Sequence, residues 1–519
     1  MDPSQTVTLL GGLGMFVLGI HHLTEGLKDL AGDSLRRALQ RLVSGKLSAI
    51  ASGVVFTVLI QSSTAAILTV IGFVSAGLMT FVQAIGVIMG ATLGTTSTPW
   101  MVAYFGFRIR IASFAMPLLG VGALLWLVGK GRLRSLGALL AGFGLLFIGI
   151  DYMQTGMEGV TWRFEGFTGP GSLWLLAGIG VVMTVVMQSS SAAAATTLVA
   201  LNAGALTFEQ GCALIVGQSV GTVGTTALVM IGAGLSVRRA ALVHILFSTL
   251  VGVLGMVFIA PLTAAAHWIG ARLDDPDGVL AIAAFSSVFK FAGVVVFYPF
   301  IDPFARWIAR VTGGGGDSAV ERLEPALYDA GAAVALEAAW RAIVEIARPA
   351  IDAVRARLAG EATVSLRSQD ELQRTADFLE SLSLETTDVG RIGPRLVRLA
   401  HALDHLRRLL DDLTRMPTAS GEWSPPANFE AAGRALAAWL DAATTDAPAP
   451  ASVLRELENA STQMSAACEE ARERMLEDFA LKGAPAGTAR LALETLAWAD
   501  GVTYDAWRLA ESLQAASGA

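Results

Sequence analysis

One segment of this chain occurs twice, and that duplication restricts the fold more than any other feature. Residues 53–66 read G-V-V-F-T-V-L-I-Q-S-S-T-A-A and residues 180–193 read G-V-V-M-T-V-V-M-Q-S-S-S-A-A, identical at ten of fourteen positions without a gap. The offset is 180 − 53 = 127, and it also lays Gly90-Ala-Thr-Leu-Gly-Thr-Thr96 over Gly217-Gln-Ser-Val-Gly-Thr-Val223. Upstream, Gly12, Gly19 and Gly26 match Gly142, Gly149 and Gly156 at an offset of 130. A first helix, a broken stretch and a glycine/threonine break therefore recur in the same order, as expected of a chain built from two equivalent halves.

The surroundings of the repeat are apolar. A helix needs about 20 mostly apolar residues to cross a bilayer. Such stretches lie at roughly 6–28, 81–105, 111–128, 135–157, 207–232, 240–262 and 279–301. Two more, roughly 47–78 and 171–205, are interrupted near the middle by the Gln-Ser-Ser clusters. They read as re-entrant hairpins, whose backbone breaks survive at membrane depth only when buried in protein or lining a wet cavity. The first apolar stretch follows Met1-Asp-Pro-Ser-Gln with no basic segment before it, as expected of a retained helix rather than a cleaved signal.

Loop charges orient these segments. With the N-terminus outside, Lys28 to Lys46, Lys130 to Arg134, Arg238–Arg239 and Arg306 to Arg310 fall inside. The acidic loops Glu158 to Glu165 and Asp274 to Asp277 fall outside, and only Arg108 and Arg110 oppose the positive-inside rule. Three crossings precede the second copy. Three is odd, so the second copy enters from the opposite side and the repeat is inverted. Inverted repeats with interrupted helices place their sites near the midplane, where the breaks meet.

The breaks are rich in neutral oxygen and amide groups and poor in carboxylates. Within the membrane-depth segments the reading finds Asp151 and Glu209 only, both at segment ends, which argues against a carboxylate proton relay. The candidates are Gln61, Ser62, Ser63, Thr64, Thr92, Thr95 and Thr96 in the first half. In the second they are Gln188, Ser189, Ser190, Ser191, Ser219, Thr222, Thr225 and Thr226. Hydroxyls and carbonyls freed by unwinding suit a hard monovalent cation such as Na+. Unpaired amides at the N-termini of the half-helices suit an anion. One small-residue cluster would be explained by close helix packing. Two copies, each with Gln before the serines and a glycine/threonine break 29 residues later, are not. Lys290 is an intramembrane charge and so a functional candidate, the alternative being that it snorkels or meets a carbonyl. His21, His22 and His244 are read as structural hydrogen-bonding groups.

These residues carry a resemblance. The paired Q-S-S-[ST]-A elements, the G-x-x-x-G-T-T segment and His244-Ile-Leu-Phe247 resemble the sodium–phosphate cotransporter family, the bacterial relatives of the type II cotransporters. The resemblance covers roughly residues 1–310. It implies that Gln61–Thr64 and Gln188–Ser191 bind phosphate and Na+ between inverted repeats. Where that family tends to carry Asn after H-x-L-F this chain has Ser248, and a second such element appears as Ser286-Ser-Val-Phe-Lys290. Both departures bear on ion stoichiometry. The implied activity is Na+-coupled phosphate uptake by alternating access. The alternatives are a membrane phosphate sensor, or a carrier of another small anion.

The composition changes after Val311-Thr-Gly-Gly-Gly-Gly-Asp-Ser318, a flexible linker. Beyond it, stretches 330–357, 367–382, 392–413, 427–443, 451–480 and 486–514 show helical periodicity on an Ala/Leu/Arg/Glu background. Asp388-Val-Gly-Arg-Ile-Gly393 resembles the D-x-x-R-I-G-D signature of PhoU-like regulators, with Pro394 in the last position. In that family acidic surface motifs hold metal, and Asp388, Asp404, Asp500 and Asp505 are read here as solvated acidic faces instead. The expected architecture is all-α: a polytopic membrane domain over 1–310, with repeats at about 6–128 and 135–262 and an extra helix at 279–301. A linker at 311–320 and a cytoplasmic helical-bundle domain at 321–519 complete it. A net charge of −7 without a basic patch argues against nucleic acid, and two cysteines imply no disulfide framework. No cofactor beyond the coupling ion and no enzymatic motif is expected. The partners are phosphate, Na+ and the lipid of the inner membrane, with a homo-oligomer left open.

Overall fold

The computed structural model describes residues 3–108, 112–157, 169–230, 235–275, 278–313, 323, 327, 331–358, 369–385, 389–414, 451–482 and 486–517. Every regular element among the described residues is helical. They divide into two compact units, Met1–Val74 with Leu78–Gly314, and Gly315–Ala519 with Ser75–Gly77.

The first unit is organised by helices whose backbones touch. Helix α1 (Pro3–Leu42) packs on α7 (Arg132–Met157) through the three glycines of each. A Cβ on Gly19 would lie 2.4 Å from the Leu146 backbone nitrogen, and one on Gly142 would lie 2.3 Å from that of Leu23. Gly12 meets Met153 and Gly26 meets Leu139, so the helices run antiparallel. Reciprocally, Gly149 meets Phe16 and Gly156 meets Leu9. Adding 130 to Gly12 gives 142, and subtracting 130 from Met153 gives 23. The contact set thus maps onto itself when the two glycine rows are exchanged.

The same correspondence holds in the helix pairs that follow. Helix α2 (Lys46–Ile60) packs on α4 (Phe81–Gly94), and α8 (Pro170–Met187) packs on α10 (Phe208–Met230). A Cβ on Gly53 would lie 2.2 Å from Val87 O and one on Gly180 would lie 2.3 Å from Leu214 O, pairs that differ by 127 at both ends. Helices α4 and α10 begin alike. The backbone N–H groups of Thr80 and Thr207 donate to Gln83 Oε1 and Gln210 Oε1, each at 2.9 Å, and the hydroxyls accept in return from Gln83 N and Gln210 N, each at 3.3 Å. These are capping boxes that satisfy otherwise orphaned helix amides.

Both interrupted stretches are two helices separated by a break. Helix α3 (Ser63–Ser75) follows α2, and α9 (Ser190–Asn202) follows α8. Beyond α4 the chain forms α5 (Ser97–Met101) and a π-helical segment, Val102–Arg108, before α6 (Ala112–Val128). After α10 come α11 (Leu235–Val257), α12 (Ile259–Arg272), α13 (Val279–Phe297) and α14 (Ile301–Val311). Helices long and apolar enough to span a membrane occur at Pro3–Leu30, Arg132–Met157, Phe208–Leu228, Leu235–Val257 and Val279–Val311. Helix α8 leaves Leu175, Val182 and Val186 exposed, a surface suited to lipid. The chain is an all-α, multi-pass membrane protein.

Three expectations for this unit are corrected. The stretch 81–105 is not one continuous span, because α4 ends at Gly94 and α5 restarts at Ser97. Pro99 accounts for this: it has no N–H to give to the Thr95 carbonyl, and its ring crowds that carbonyl. The matched position in the second half is Thr226 (99 + 127), and α10 there runs unbroken from Phe208 to Met230. The glycine/threonine break is therefore single. Gly217 and Gly221 serve close packing instead, with added Cβ atoms falling 1.8 Å from Ala177 O and 2.8 Å from Val181 O. Glu25, absent from the acidic residues singled out in the sequence, lies within the first apolar helix beside His21 (3.4 Å) and His22 (3.7 Å).

The second unit contains helices Ala332–Leu358, Gln369–Glu385, Val389–Thr414, Ala451–Lys482 and Ala486–Ser517, which bury Leu336, Ile343, Leu406, Leu409, Val502 and Leu509. Asp505 is buried and accepts or shares a proton with His405 Nδ1 at 2.7 Å, so it belongs to no solvated face. Asp404 is the exposed member and pairs with Arg408 at 2.8 Å. Asp500 accepts a hydrogen bond from Ser465. Asp388, residues 427–443, the loop from Glu158 to Glu165, and Arg110 lie outside the described residues.

Candidate functional site

The two breaks share one backbone geometry. Gln61 and Gln188 hold left-handed backbone conformations, φ 56° and 52°, that end α2 and α8. Such a conformation is uncommon for a residue with a side chain and clusters at functional sites. The side-chain amides of Gln61 and Gln188 donate to Val58 O and Val185 O, each at 2.6 Å. Ser62 Oγ accepts from Ala65 N and Ser189 Oγ from Ala192 N, each at 3.2 Å, capping α3 and α9. The amides of Ser63, Thr64, Ser190 and Ser191 stand in the first turns of those helices, where no carbonyl of the same helix can accept from them.

Both breaks open on one cavity of about 310 Å3. Gln61–Thr64, Thr95, Gln188–Ser191, Thr222, Thr225 and Thr226 all line it. Thr92, Thr96 and Ser219 do not line it, and each is buried. Thr92 and Ser219 instead supply matched carbonyls to the hydroxyls of Thr95 (2.7 Å) and Thr222 (2.8 Å). Lys290 stands behind the lining and donates to Thr95 Oγ1 at 2.8 Å. No carboxylate lines the cavity, while His21, Lys28 and His244 do. His244 Nδ1 lies 2.9 Å from Thr226 Oγ1, a hydrogen-bonding role that fits the sequence reading.

The hydroxyl-bearing lining residues that the sequence did not single out are Thr24, Thr57, Thr184, Ser97 and Thr98. Thr57 and Thr184 are the same residue of the repeat (57 + 127), one helical turn before each Gln, so a signal for them existed. Thr98 is paired by the same offset with Thr225 (98 + 127), a residue already singled out. Its hydroxyl donates to Gln61 Oε1 at 3.0 Å and accepts from Ser191 Oγ at 3.3 Å, joining the break of one half to the serines of the other. Ser97 Oγ accepts from Gln61 Nε2 at 3.0 Å, so both functions of that amide are anchored to α5.

Chemically, the cavity offers two helix N-termini, many hydroxyls and the basic side chains of Lys28, His21 and His244. Such a set can hold an anion on the amides and a desolvated monovalent cation on the hydroxyl oxygens.

The comparisons with known proteins agree with this chemistry. The family model described as Na+/Pi-cotransporter matches residues 15–155 and 171–270, which include both breaks. YqeW of Bacillus subtilis, whose name assigns no function, is 29% identical over 303 residues, 56% of this chain and 94% of that protein. YjbB of Escherichia coli, whose name provisionally assigns it inorganic phosphate export, is 27% identical over 307 residues, 58% of this chain. The match spans only 54% of YjbB. The human sodium-dependent phosphate transport protein 2B is 34% identical over 101 residues, 19% of this chain and 15% of that protein. No solved structure matches the chain. With the family model covering both breaks and the cavity between them, the N-terminal unit belongs to the Na+/Pi-cotransporter family.

Proposed function

We propose that this chain is a secondary active transporter that carries inorganic phosphate across the cytoplasmic membrane coupled to Na+. The observation that carries this reading is the single carboxylate-free cavity onto which both Gln-Ser-Ser breaks open. Helix N-termini attract oxyanions through unpaired amides and the helix dipole. A bound phosphate needs charge balance, and with no acidic group in the lining to carry protons, hydroxyl-ligated Na+ is the fitting partner. The two halves act as inverted repeats with re-entrant hairpins, and alternation exchanges their roles around a fixed midplane site. The second unit is a cytoplasmic, PhoU-like regulator.

Direction follows the gradients. An inward Na+ gradient drives uptake, and the same carrier exports when phosphate accumulates inside, which the name given to YjbB favours. The test is 32P-phosphate flux in proteoliposomes with Na+ gradients of either sign. Flux should follow the Na+ gradient and survive a proton ionophore. Flux that persists without Na+ and tracks the pH gradient overturns the proposal.

A further inference from the structure

Lys290 lies on α13, outside both copies of the repeat, and is only 7% exposed. Its ammonium donates to Thr95 Oγ1 at 2.8 Å. The carboxylates of the first unit that form ion pairs are engaged elsewhere, Asp302 with Lys46 and Glu25 with His21 and His22. Helix α13 packs on α4 and α5, the two helices that flank the Pro99 break, and Ser287 one turn earlier accepts from Trp100 Nε1 at 2.9 Å. The ammonium is thus fixed behind the lining of the first half.

Among the described residues the second half shows no equivalent contact. Thr95 gives its proton to the Thr92 carbonyl and receives the ammonium on a lone pair. Thr222 (95 + 127) gives its proton to the matched Ser219 carbonyl, and among the described residues no Lys or Arg hydrogen-bonds to it. One turn on, Thr226 meets the His244 ring. A Na+ ligated by the Thr95 oxygen would share that oxygen with the ammonium and be repelled by it. The same ion on the hydroxyls of Thr222, Thr225 or the serines after Gln188 shares no oxygen with the ammonium.

We infer that Lys290 is a built-in counter-cation: it takes the place of a coupling Na+ in the first half, balances the bound oxyanion from behind Thr95, and leaves Na+ to the second half alone. This rests on the phosphate reading above. It assigns the chain a shallow Na+ dependence and makes Lys290 a determinant of ion stoichiometry rather than a packing residue.

The experiment uses the full chain in proteoliposomes, with 32P-phosphate uptake measured across a range of Na+ concentrations for the wild type, K290Q and K290R. The wild type should show a Hill slope for Na+ near 1. At low Na+, K290Q should raise the phosphate KM about ten-fold, in the range for loss of a charge-assisted contact. High Na+ should restore it, because an external ion then fills the vacated charge, and the Na+ curve should steepen. K290R should stay within about three-fold of the wild type at every Na+ concentration. A K290Q defect that is equal at all Na+ concentrations, or absent, makes the residue structural and overturns the inference. A wild-type slope of two or more overturns it as well, whether or not K290Q folds. If the wild type neither binds nor moves phosphate, the phosphate reading itself fails, and that outcome is separate from the others.

Discussion

Replacing Thr98 with valine isolates the contact between the two halves. Valine keeps the branched shape, so the change removes one hydroxyl from a residue that is only 3% exposed. Two hydrogen bonds disappear, to Gln61 Oε1 at 3.0 Å and from Ser191 Oγ at 3.3 Å. A net hydrogen bond contributes about 0.5–1.5 kcal/mol. The second is long, and both partners face the cavity, where water can replace the lost group, so the sum falls near 1–2 kcal/mol. Because Gln61 and Ser191 both line the cavity, that loss should appear in ligand affinity as a rise of about 5–30-fold in phosphate Kd. Equilibrium dialysis with 32P-phosphate on purified, monodisperse protein measures it. T98S keeps the hydroxyl and should stay within about three-fold of the wild type. In a double-mutant cycle, T98V and S191A remove the two ends of one hydrogen bond and should combine less than additively by roughly 0.5 kcal/mol or more. An unchanged Kd for T98V, or strict additivity in the cycle, would refute the claim that this hydroxyl couples the halves.

Three further outcomes are expected. S63A and S190A remove matched hydroxyls from matched helix starts, and each should weaken phosphate or Na+ binding about ten-fold or more, as for a hydrogen bond to a charged ligand; an effect from only one of them breaks the equivalence. G217A would place a Cβ 1.8 Å from Ala177 O and should lower the melting temperature, whereas G178A meets nothing within 4 Å and should be neutral or stabilising. A chain ending after Gly313 keeps the hydrogen bonds of Arg239 to Thr312 and Gly313 and should still insert and carry phosphate in proteoliposomes with altered control; folded protein that binds phosphate but moves none, with or without the tail, would favour the sensor reading.

The parts of this molecule that were legible in the sequence are those written twice. Gly53 and Gly180, Gln61 and Gln188, and Ser62 and Ser189 each announce themselves through the 127-residue offset: the glycines make the same close approach, the glutamines share the left-handed backbone and the serines the same capping bond. What was missed is chiefly where the two copies behave differently. Pro99 breaks α4 where Thr226 lets α10 continue, and the glycine/threonine match hid that difference because its glycines serve packing in both halves. Thr98 acts across the halves while its counterpart Thr225 bonds within its own helix, to Thr222 O at 2.8 Å. Asp505 was taken for a surface acid because nothing local marks its neighbour, His405, which lies 100 residues away in the chain.

The unmatched pair of helices has an energetic consequence. If the two halves exchange conformations to open the cavity to the other side, α4 would have to straighten and α10 would have to come apart. Proline forbids the first at Pro99, at a cost of about 3 kcal/mol or more in a helix interior. The second would require α10 to give up backbone hydrogen bonds that nothing in its sequence weakens so strongly. Under the proposed alternation the outward and inward forms would therefore differ in free energy, and the protein would populate one of them more than the other.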